Sequence, residues 1–467
     1  MNDRLDLSAD EMRSLGYRVV DLITDHLTHI RDKRVGAKES PERLRKALME
    51  PLPETPRNAE EIFARLERDV FSNILNILHP RFFAFVPGPS NFVSVMADAL
   101  AAGFNVFNGS WLGGSGAAAL ELTVIDWLRQ LCGLPEQAGG LFVSGGSMAN
   151  LTALVAARHT KLGDRTPGAA VYFSDQTHSS VERALHVIGF LPDQMRRVRS
   201  DDRFRLSVEE LARSVKADRA AGLRPFCVIA NAGATSTGAV DPLREIADFC
   251  RSQDLWMHVD GAYGAAAVIS ERGRTLLDGL DMADSLSLDP HKWLFQSLEC
   301  GCVLVRDASL LKAAFQTKPA YLVDVHRNTS EVNPCDFGVQ LSRSFRALKV
   351  WMSFQYFGLG AFRAALDRGL ALAEFAEQKL RAMPDWEVVT PAELGIVTFR
   401  RRGVEESYYH ALHEAMLRDG FALLSATVLT GRTALRLCTI NPRTTESDIV
   451  QTLDWLDDLV PTNEGHP

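Results

Sequence analysis

The chain has 467 residues, and its content of 46% hydrophobic, 24% charged and 8% aromatic residues is typical of a folded globular protein rather than a disordered, collagen-like or coiled-coil chain. Its 59 acidic and 51 basic residues leave a net charge of −8, which argues against a nucleic-acid partner because a polyanion needs a basic surface. No apolar run approaches the roughly 18 residues of a membrane span, and the first residues contain no apolar stretch suited to a signal peptide.

The first 80 residues are predicted to form a helical arm. Residues 8–11 have the pattern of a capping box, and apolar residues follow at helical spacing as far as Ile30. A proline-rich connector separates this helix from a second one, predicted over residues 60–78. Because two helices cannot bury their own apolar faces, we expect the arm, residues 1–80, to pack against something larger, such as another copy of the chain.

From residue 81, short β-rich runs alternate with helical segments, the pattern of βαβ units around a mostly parallel sheet. Beyond residue 359, a long Ala/Leu-rich helix is followed by mixed helices and strands. We therefore predict a large α/β domain at residues 81–358 and a small α+β domain at residues 359–467. The strand candidates of the large domain are residues 141–143, 170–173, 226–229, 255–259, 285–288 and 301–305.

Chemically active side chains follow five of these strands, where ligands bind in open α/β sheets. Gly145, Gly146 and Ser147 open a helix whose free N–H groups can hold phosphate, although the same residues also make an ordinary turn and cap. Lys292 follows an apolar strand, so we expect it to be partly enclosed, where a lysine amine becomes a nucleophile. The other strand ends contribute His178, Thr235, Asp260 and His291.

A phosphate cradle, a ring that can stack, a carboxylate and a lysine amine are together what pyridoxal 5′-phosphate (PLP) requires, so we predict this cofactor. No metal site is predicted, because Cys300 and Cys302 lack the spacing of zinc ligands. The seven sparse cysteines are expected to be free thiols in a reducing cytoplasm.

Several ordered motifs then point to a family. They are residues 79–85, 174–184, 258–263, 289–293, 319–322 and 342–351. Their sequence resembles that of the group II PLP-dependent amino-acid decarboxylases, and most of all the aromatic-L-amino-acid decarboxylases, and the resemblance extends to residue 445. The resemblance implies the PLP-dependent transferase fold (fold type I), a seven-stranded, mostly parallel sheet with helices on both faces. It also implies a homodimer with the active site at the interface and the arm wrapped around the second subunit.

The resemblance assigns catalytic roles by position. Lys292 would carry the cofactor, and Asp260 would keep its pyridine nitrogen protonated. His178 would stack on the ring face, and Tyr321, on a loop spanning about residues 316–335, would protonate the substrate carbanion.

The resemblance also places the remaining contacts around the cofactor and the substrate. Thr235 would lie near both the cofactor oxygen and the substrate carboxylate. The other cofactor contacts implied are Gly145, Gly146, Ser147, Ala262 and His291. The other substrate contacts implied are Phe85, Val86, Pro87, Phe107, Gly109, Trp111 and Arg343.

The implied reaction is decarboxylation of an L-amino acid, with an aromatic one (tryptophan, tyrosine, phenylalanine or dopa) favoured, to an amine and CO₂ through a Schiff base and a quinonoid. An oxygen-dependent aldehyde synthase is the nearest alternative, but in this family it accompanies loss of the loop tyrosine or the stacking histidine, and Tyr321 and His178 are both present. A decarboxylase of aliphatic or acidic amino acids, a non-enzymatic binding protein and, least of all, a serine hydrolase around Ser147 also remain open.

Two features depart from the family pattern. Asp289 stands where several members have an asparagine that touches phosphate, and a carboxylate there would repel phosphate. Val86 and Gly109 replace bulkier aromatic residues, which would enlarge or reshape the substrate pocket.

Overall fold

The computed structural model describes residues 5–317, 319–320, 323–325, 327–328 and 330–459. The chain divides into two compact units. Unit 1 comprises Met1–Ala84, Gly403–Thr433 and Arg443–Pro467, and unit 2 comprises Phe85–Arg402 and Ala434–Pro442. Among the described residues, no helix combines the length and apolar character needed to cross a membrane.

The secondary structure follows the alternating pattern expected of an α/β protein. In the described residues the helices are α1 (Ala9–Thr28), α2 (Pro41–Leu48), α3 (Ala59–Arg65), α4 (Phe92–Gly103), α5 (Trp111–Leu131), α6 (Gly146–Leu162), α7 (Ser179–Val187), α8 (Val208–Ala220), α9 (Leu243–Ser252), α10 (Glu271–Leu276), α11 (Ala308–Phe315), α12 (Ala347–Ala382), α13 (Glu406–Asp419) and α14 (Glu446–Asp458). The strands are β1 (Gly139–Val143), β2 (Ala169–Ser174), β3 (Met195–Val198), β4 (Arg224–Asn231), β5 (Trp256–Asp260), β6 (Ser285–Leu288), β7 (Gly301–Val305), β8 (Trp386–Glu393), β9 (Ile396–Arg401), β10 (Ser425–Leu429) and β11 (Arg432–Cys438).

Unit 2 is built on a seven-stranded sheet with the order β1-β7-β6-β5-β4-β2-β3. β7 pairs antiparallel with both of its neighbours, and the other strand pairs are parallel. The predicted mostly parallel, seven-stranded sheet is therefore confirmed. A smaller antiparallel sheet follows in the chain, in which β9 pairs with β8 and with β11.

Alternate residues of the strands belong to two separate hydrophobic clusters, because successive side chains of a strand point to opposite faces of the sheet. Phe142 of β1 joins the cluster that includes Leu128 of α5. Its neighbour Val143 joins the cluster that includes Leu154 of α6. Helices therefore cover both faces of the sheet, as predicted, and the polar strand ends are left to line a site.

Most predicted elements of unit 2 are present, and the sequence pattern missed two of its strands, β3 and β8. β3 lies at the edge of the sheet and carries Arg196 and Arg197, so it lacks the apolar run that marks the central strands. Charged side chains of this kind are common on edge strands, whose outer edge presents a row of unpaired backbone N–H and C=O groups.

The N-terminal elements of unit 1 agree with the prediction for α1 and differ after it. Ser8 and Glu11 form the predicted capping box at the start of α1. The connector contains the unpredicted helix α2. Ser40 caps this helix and Pro41 occupies its first turn, which is a standard helix-start signal. The second predicted helix, residues 60–78, is shorter than expected, because regular α-helix ends with α3 at Arg65.

Candidate active site

A cavity of about 340 Å³ lies in unit 2 at the carboxyl ends of β1, β2, β4, β5 and β6. The structure therefore brings the predicted strand-end segments to one place, as the geometry of an open α/β sheet requires. The lining residues are Ser144, Gly145, Gly146, Ser147, Met148, His178, Ser180, Asn231, Gly233, Thr235, Asp260, Ala262, Tyr263, Asp289, His291, Lys292 and Glu299.

The first turn of α6 forms one wall of this cavity. The helix starts at Gly146, and Gly145 precedes it without a side-chain cap, so the first N–H groups of the helix are not satisfied by a capping side chain. A Cβ atom at Gly146 would lie 2.9 Å from both Ala262 Cβ and Asp289 Oδ2, and one at Gly145 would lie 3.2 Å from His291 Cε1. The two glycines keep open a space in which free N–H groups and the helix dipole favour an anion.

Asp260, at the end of β5, is held as a hydrogen-bond acceptor. Its Oδ2 accepts from Asn150 Nδ2 at 2.9 Å, and its Oδ1 accepts from Ser287 Oγ and the Ala262 N–H, both at 3.1 Å. Burial alone would raise the pKa of Asp260, but the positive charge of Lys292, the neighbouring His258 and these hydrogen bonds outweigh it and lower the pKa. Asp260 is therefore an ionised carboxylate, suited to pair with a protonated ring nitrogen.

His178 is the residue before α7 and caps that helix through its ring. Its Nδ1 accepts from the Ser180 N–H at 3.2 Å and lies 2.8 Å from Ser180 Oγ. Burial lowers the pKa of His178, and the nearby Lys292 lowers it further against the opposing effect of Asp260. The ring is therefore neutral near pH 7, with its proton on Nε2, and can stack against a planar ligand.

Lys292 follows β6 and lies beside Asp289. The Lys292 Nζ atom is 3.0 Å from Asp289 Oδ2, and His291 Nε2 is 3.7 Å from the same oxygen. Asp289 is 2% exposed and its Oδ1 has no hydrogen-bond partner. Asp289 and Lys292 both line the cavity, so the site holds an amine and a carboxylate that a ligand would have to accommodate.

Thr235 and Ala262 also line the cavity. The carbonyl oxygen of Thr235 accepts from Arg436 Nη1, which ties its loop to β11. The carbonyl oxygen of Ala262 accepts from the Asp289 N–H at 2.8 Å, which joins the ends of β5 and β6. All nine predicted cofactor contacts are therefore in this cavity, although their roles toward a cofactor remain predictions.

The predicted substrate contacts other than Thr235 do not line this cavity in a single chain. The segment from Phe85 to Gly88 comes near it, because a Cβ at Gly88 would lie 2.6 Å from the His291 carbonyl oxygen. Val86 packs against the hydrophobic cluster on one face of the sheet, and Pro87 is buried. Phe107 lines a second cavity, of about 670 Å³, which shares Glu299 with the first.

Gly109 and Trp111 are fixed by backbone contacts. A Cβ at Gly109 would lie 2.3 Å from the Leu341 carbonyl oxygen, so this glycine allows a close approach of two backbone segments. The Trp111 N–H donates to Asn333 Oδ1 at 2.9 Å. The small size of residue 109 is thus explained by local packing, and its predicted role in the substrate pocket stays a prediction.

Arg343, which also lines the second cavity, forms a buried ion pair. Its Nη2 donates to Glu121 Oε1 at 2.6 Å and to the Phe142 carbonyl oxygen at 2.7 Å, and its Nη1 donates to the Asn108 carbonyl oxygen at 2.8 Å. Both side chains of the pair are 1% exposed. Arg343 holds together the loop before α5 and the end of β1, and its predicted contact with substrate is untested. Tyr321 lies outside the described residues.

Sequence reasoning missed several polar residues behind the site. Asn150, His258 and Ser287 are fully buried and bond to Asp260 or to one another. The available signal was a polar side chain in an otherwise apolar run, as at Asn150 within the Ala/Leu-rich stretch of α6. No group of three or more histidine, cysteine, aspartate or glutamate side chains in the described part of the chain is placed to hold a metal ion.

Comparison with known proteins gives concordant matches. The family model described as "Pyridoxal-dependent decarboxylase conserved domain" matches residues 41–402. An aromatic-L-amino-acid decarboxylase of Bacillus atrophaeus is 50% identical over 97% of this chain and 96% of that protein. A phenylacetaldehyde synthase of Arabidopsis thaliana is 31% identical over 95% of this chain and 94% of that protein. The crystal structure of Oryza sativa TDC with PLP and tryptamine superposes with a TM-score of 0.92, 30% identity and coverage of 97% and 98% of the two chains.

Proposed function

Because the chain belongs to the pyridoxal-dependent decarboxylase family and is a PLP-dependent amino-acid decarboxylase, we propose that its substrate is an aromatic L-amino acid, which it converts to the amine and CO₂. The observation that carries the choice of substrate is the 50% identity, over nearly the whole of both chains, to an aromatic-L-amino-acid decarboxylase. Tyrosine and tryptophan decarboxylases are also among the relatives that match along most of the chain.

The residues of the cavity fit the cofactor. The two glycines at the start of α6 leave room beside free N–H groups, where a phosphate is stabilised. The ionised Asp260 offers an acceptor to a protonated ring nitrogen, and neutral His178 offers a flat face. When bound, PLP supplies an electron-withdrawing ring that accepts the electron pair left as CO₂ departs.

The chain's own groups then have distinct tasks in this proposal. The amine of Lys292, which lies 3.0 Å from Asp289 Oδ2, would hold the cofactor until a substrate amine takes its place. Asp260 would stabilise a protonated ring nitrogen. His178 would offer its flat face to the ring, and Ala262 lies at the turn after Asp260.

The proton that completes the amine is assigned to Tyr321 by the family resemblance alone. We propose that its hydroxyl acts as the general acid and that Tyr321→Phe binds the cofactor normally but produces amine at least about 100-fold more slowly, the usual contribution of such a group. Unchanged amine output from Tyr321→Phe would reject this role.

We also propose that the active form is a cytoplasmic homodimer. No residue of α1 is buried, and its apolar side chains Met12 and Leu15 are 52% and 39% exposed, so much of its apolar face stays uncovered by the described residues of one chain. The seven cysteines are all unpaired, in keeping with a reducing compartment. The substrate contacts that do not line the cavity, such as Phe107, would come from the second subunit.

A substrate panel tests the proposed function. Purified protein loaded with PLP is incubated with tryptophan, tyrosine, phenylalanine, dopa, glutamate and leucine, and amine, CO₂, aldehyde and peroxide are measured. We expect kcat/KM for the best aromatic substrate to exceed that for glutamate and leucine by at least about 100-fold, because a pocket shaped for a ring leaves these side chains poorly packed. Faster turnover of glutamate or leucine would reject the aromatic substrate, and aldehyde with stoichiometric peroxide would reject simple decarboxylation.

A further inference from the structure

Four consecutive hydrogen bonds run through the interior of unit 2 and end on Asp260. Trp256 Nε1 lies 2.8 Å from Ser285 Oγ, which lies 2.9 Å from His258 Nδ1. His258 Nε2 lies 3.0 Å from Asn150 Oδ1, and Asn150 Nδ2 lies 2.9 Å from Asp260 Oδ2. The four residues before Asp260 are at most 2% exposed, so water does not compete for these bonds.

The chemistry of the two ends gives this hydrogen-bond chain a single direction. The Asp260 carboxylate can only accept, so the Asn150 N–H group faces it and Asn150 Oδ1 faces His258. Because Asn150 Oδ1 can only accept, His258 carries a proton on Nε2. The Nδ1 atom of neutral His258 then accepts from the Ser285 hydroxyl, and Ser285 Oγ accepts from the indole N–H of Trp256.

The Asn150 amide group also takes part in a second series of hydrogen bonds, which leads to His178. The Asn150 Nδ2 group also donates to Ser180 Oγ at 3.1 Å. Because the Ser180 N–H already donates to His178 Nδ1, that nitrogen carries no proton, and the Ser180 hydroxyl can donate to it at 2.8 Å. The proton of neutral His178 is therefore on Nε2, the nitrogen that is not engaged by α7.

We propose that Asn150 is a positioning residue that acts on two cofactor-facing groups at once: one N–H holds Asp260 as a carboxylate, and the other orients the Ser180 hydroxyl toward His178 Nδ1. Trp256 donates to Ser285 Oγ at the far end and holds it beside His258. The proposal rests on the proposed function in so far as Asp260 and His178 face the cofactor. Burial lowers the pKa of both His178 and His258, which agrees with two neutral rings.

The position of the protons can be measured directly on the full-length protein without cofactor. Selective ¹⁵N labelling of the 12 histidines, with His178→Gln and His258→Gln used for assignment, reports which ring nitrogen is protonated. We expect Nε2–H for both rings in the wild type, and we expect Ser180→Ala to alter the signal of His178 and leave that of His258. A wild-type His258 or His178 with its proton on Nδ1 would overturn the proposal.

Cofactor affinity provides a second measurement, with a matched control in the same helix. Asn150→Leu removes both N–H donors at similar volume, whereas Thr152→Val removes a buried hydroxyl that donates to the α6 backbone, at the Met148 carbonyl oxygen. We expect Asn150→Leu to weaken PLP binding about 10- to 100-fold, the effect of losing a hydrogen bond to a charged group, and Thr152→Val to weaken it less than about threefold.

The outcomes separate this inference from the proposed function. Equal losses of PLP affinity in Asn150→Leu and Thr152→Val, at similar thermal stability, would show a purely structural role and overturn the inference. A wild-type protein that does not bind PLP would instead reject the proposed function, and the histidine tautomers would still decide the inference. If Asn150→Leu does not fold, Ser180→Ala replaces it: an altered His178 signal with an unchanged His258 signal supports the link from Asn150 through Ser180 to His178, and an unchanged His178 signal contradicts it.

Discussion

Helices α1 and α6 are similar in length, 20 and 17 residues, and opposite in how they are stabilised. α1 begins with a complete capping box at Ser8 and Glu11 and buries none of its residues. α6 begins at Gly146, and Gly145 before it provides no side-chain cap, yet buried residues occur along the helix from Gly146 to Leu162. The local sequence therefore stabilises α1, whereas tertiary packing stabilises α6.

This difference explains where a ligand can bind. The Ser8 side chain satisfies the Glu11 N–H at the start of α1, and the carboxylates of Asp10 and Glu11 in its first turn disfavour a phosphate there. α6 is held in place by its packing against the sheet, so its N-terminal N–H groups can remain free for an anion. Conversely, the described residues of one chain cover the apolar side of α1 only in part, which suits it to an interface with a second copy.

The largest expected effect comes from removing the amine of Lys292, which lines the same cavity as the N-terminus of α6. Lys292→Ala should reduce kcat by at least about 10⁴-fold and abolish the visible absorbance of the cofactor, because no other amine lines the cavity among the described residues. Lys216→Ala, on the exposed surface of α8, is the control and should behave like the wild type. Amine production by Lys292→Ala above about 1% of the wild-type rate would contradict the assignment.

A charge on the apolar face of α1 should break the proposed dimer. Leu15→Asp combined with Val19→Asp should weaken self-association by about 10²- to 10⁴-fold, since each buried apolar side chain contributes roughly 1.5–3 kcal/mol. Analytical ultracentrifugation measures this directly. The control, Ser14→Asp with Thr24→Asp, adds the same charge to the opposite face, and a loss of dimer in the control as well would remove the argument for this face.

The stability of unit 1 should depend on pH through His79, which lies near the end of the arm. Its Nδ1 accepts from the Arg81 N–H at 3.0 Å, and burial lowers the pKa of His79 from 6.5 to about 4. Between these values the unfolded chain binds the proton and the folded chain does not, so stability falls as pH drops from 6.5 to 4. We expect the wild type to lose about 1–3 kcal/mol more than His79→Gln over this range. Parallel urea unfolding curves at pH 7 and pH 4.5 measure it, and equal losses would show that His79 is not responsible.

The smallest effect concerns the carboxylate beside the α6 N-terminus. Asp289→Asn removes a negative charge next to the proposed phosphate site and should tighten PLP binding about tenfold, or roughly 1.4 kcal/mol. The gain is limited because Asp289 also balances the charge of Lys292. Asp281→Asn, which removes an exposed carboxylate, should leave the dissociation constant unchanged. Weaker binding in Asp289→Asn would show that the carboxylate supports the cofactor.

Much of the fold and the candidate site could be predicted from sequence because the signals are local. Apolar runs marked the central strands, and the segment after each strand contained its polar group, as at His178, Asp260 and Lys292. The edge strand β3 and the helix α2 were not predicted, because Arg196 and Arg197 interrupt the apolar pattern of the first and the proline-rich connector obscured the cap of the second.

Sequence by itself determined the class of sheet, the strand ends that carry the chemistry and, through ordered motifs, the cofactor. Tertiary structure alone decided which polar groups meet: Asn150 and Asp260 are 110 positions apart in the chain and share a buried hydrogen bond, and Arg343 pairs with Glu121 from 222 positions away. The physical reason is that a side-chain hydrogen bond extends only about 3 Å. The local periodicity of the sequence does not indicate such pairs. Packing of α6 against the sheet brings Asn150 within hydrogen-bond distance of Asp260.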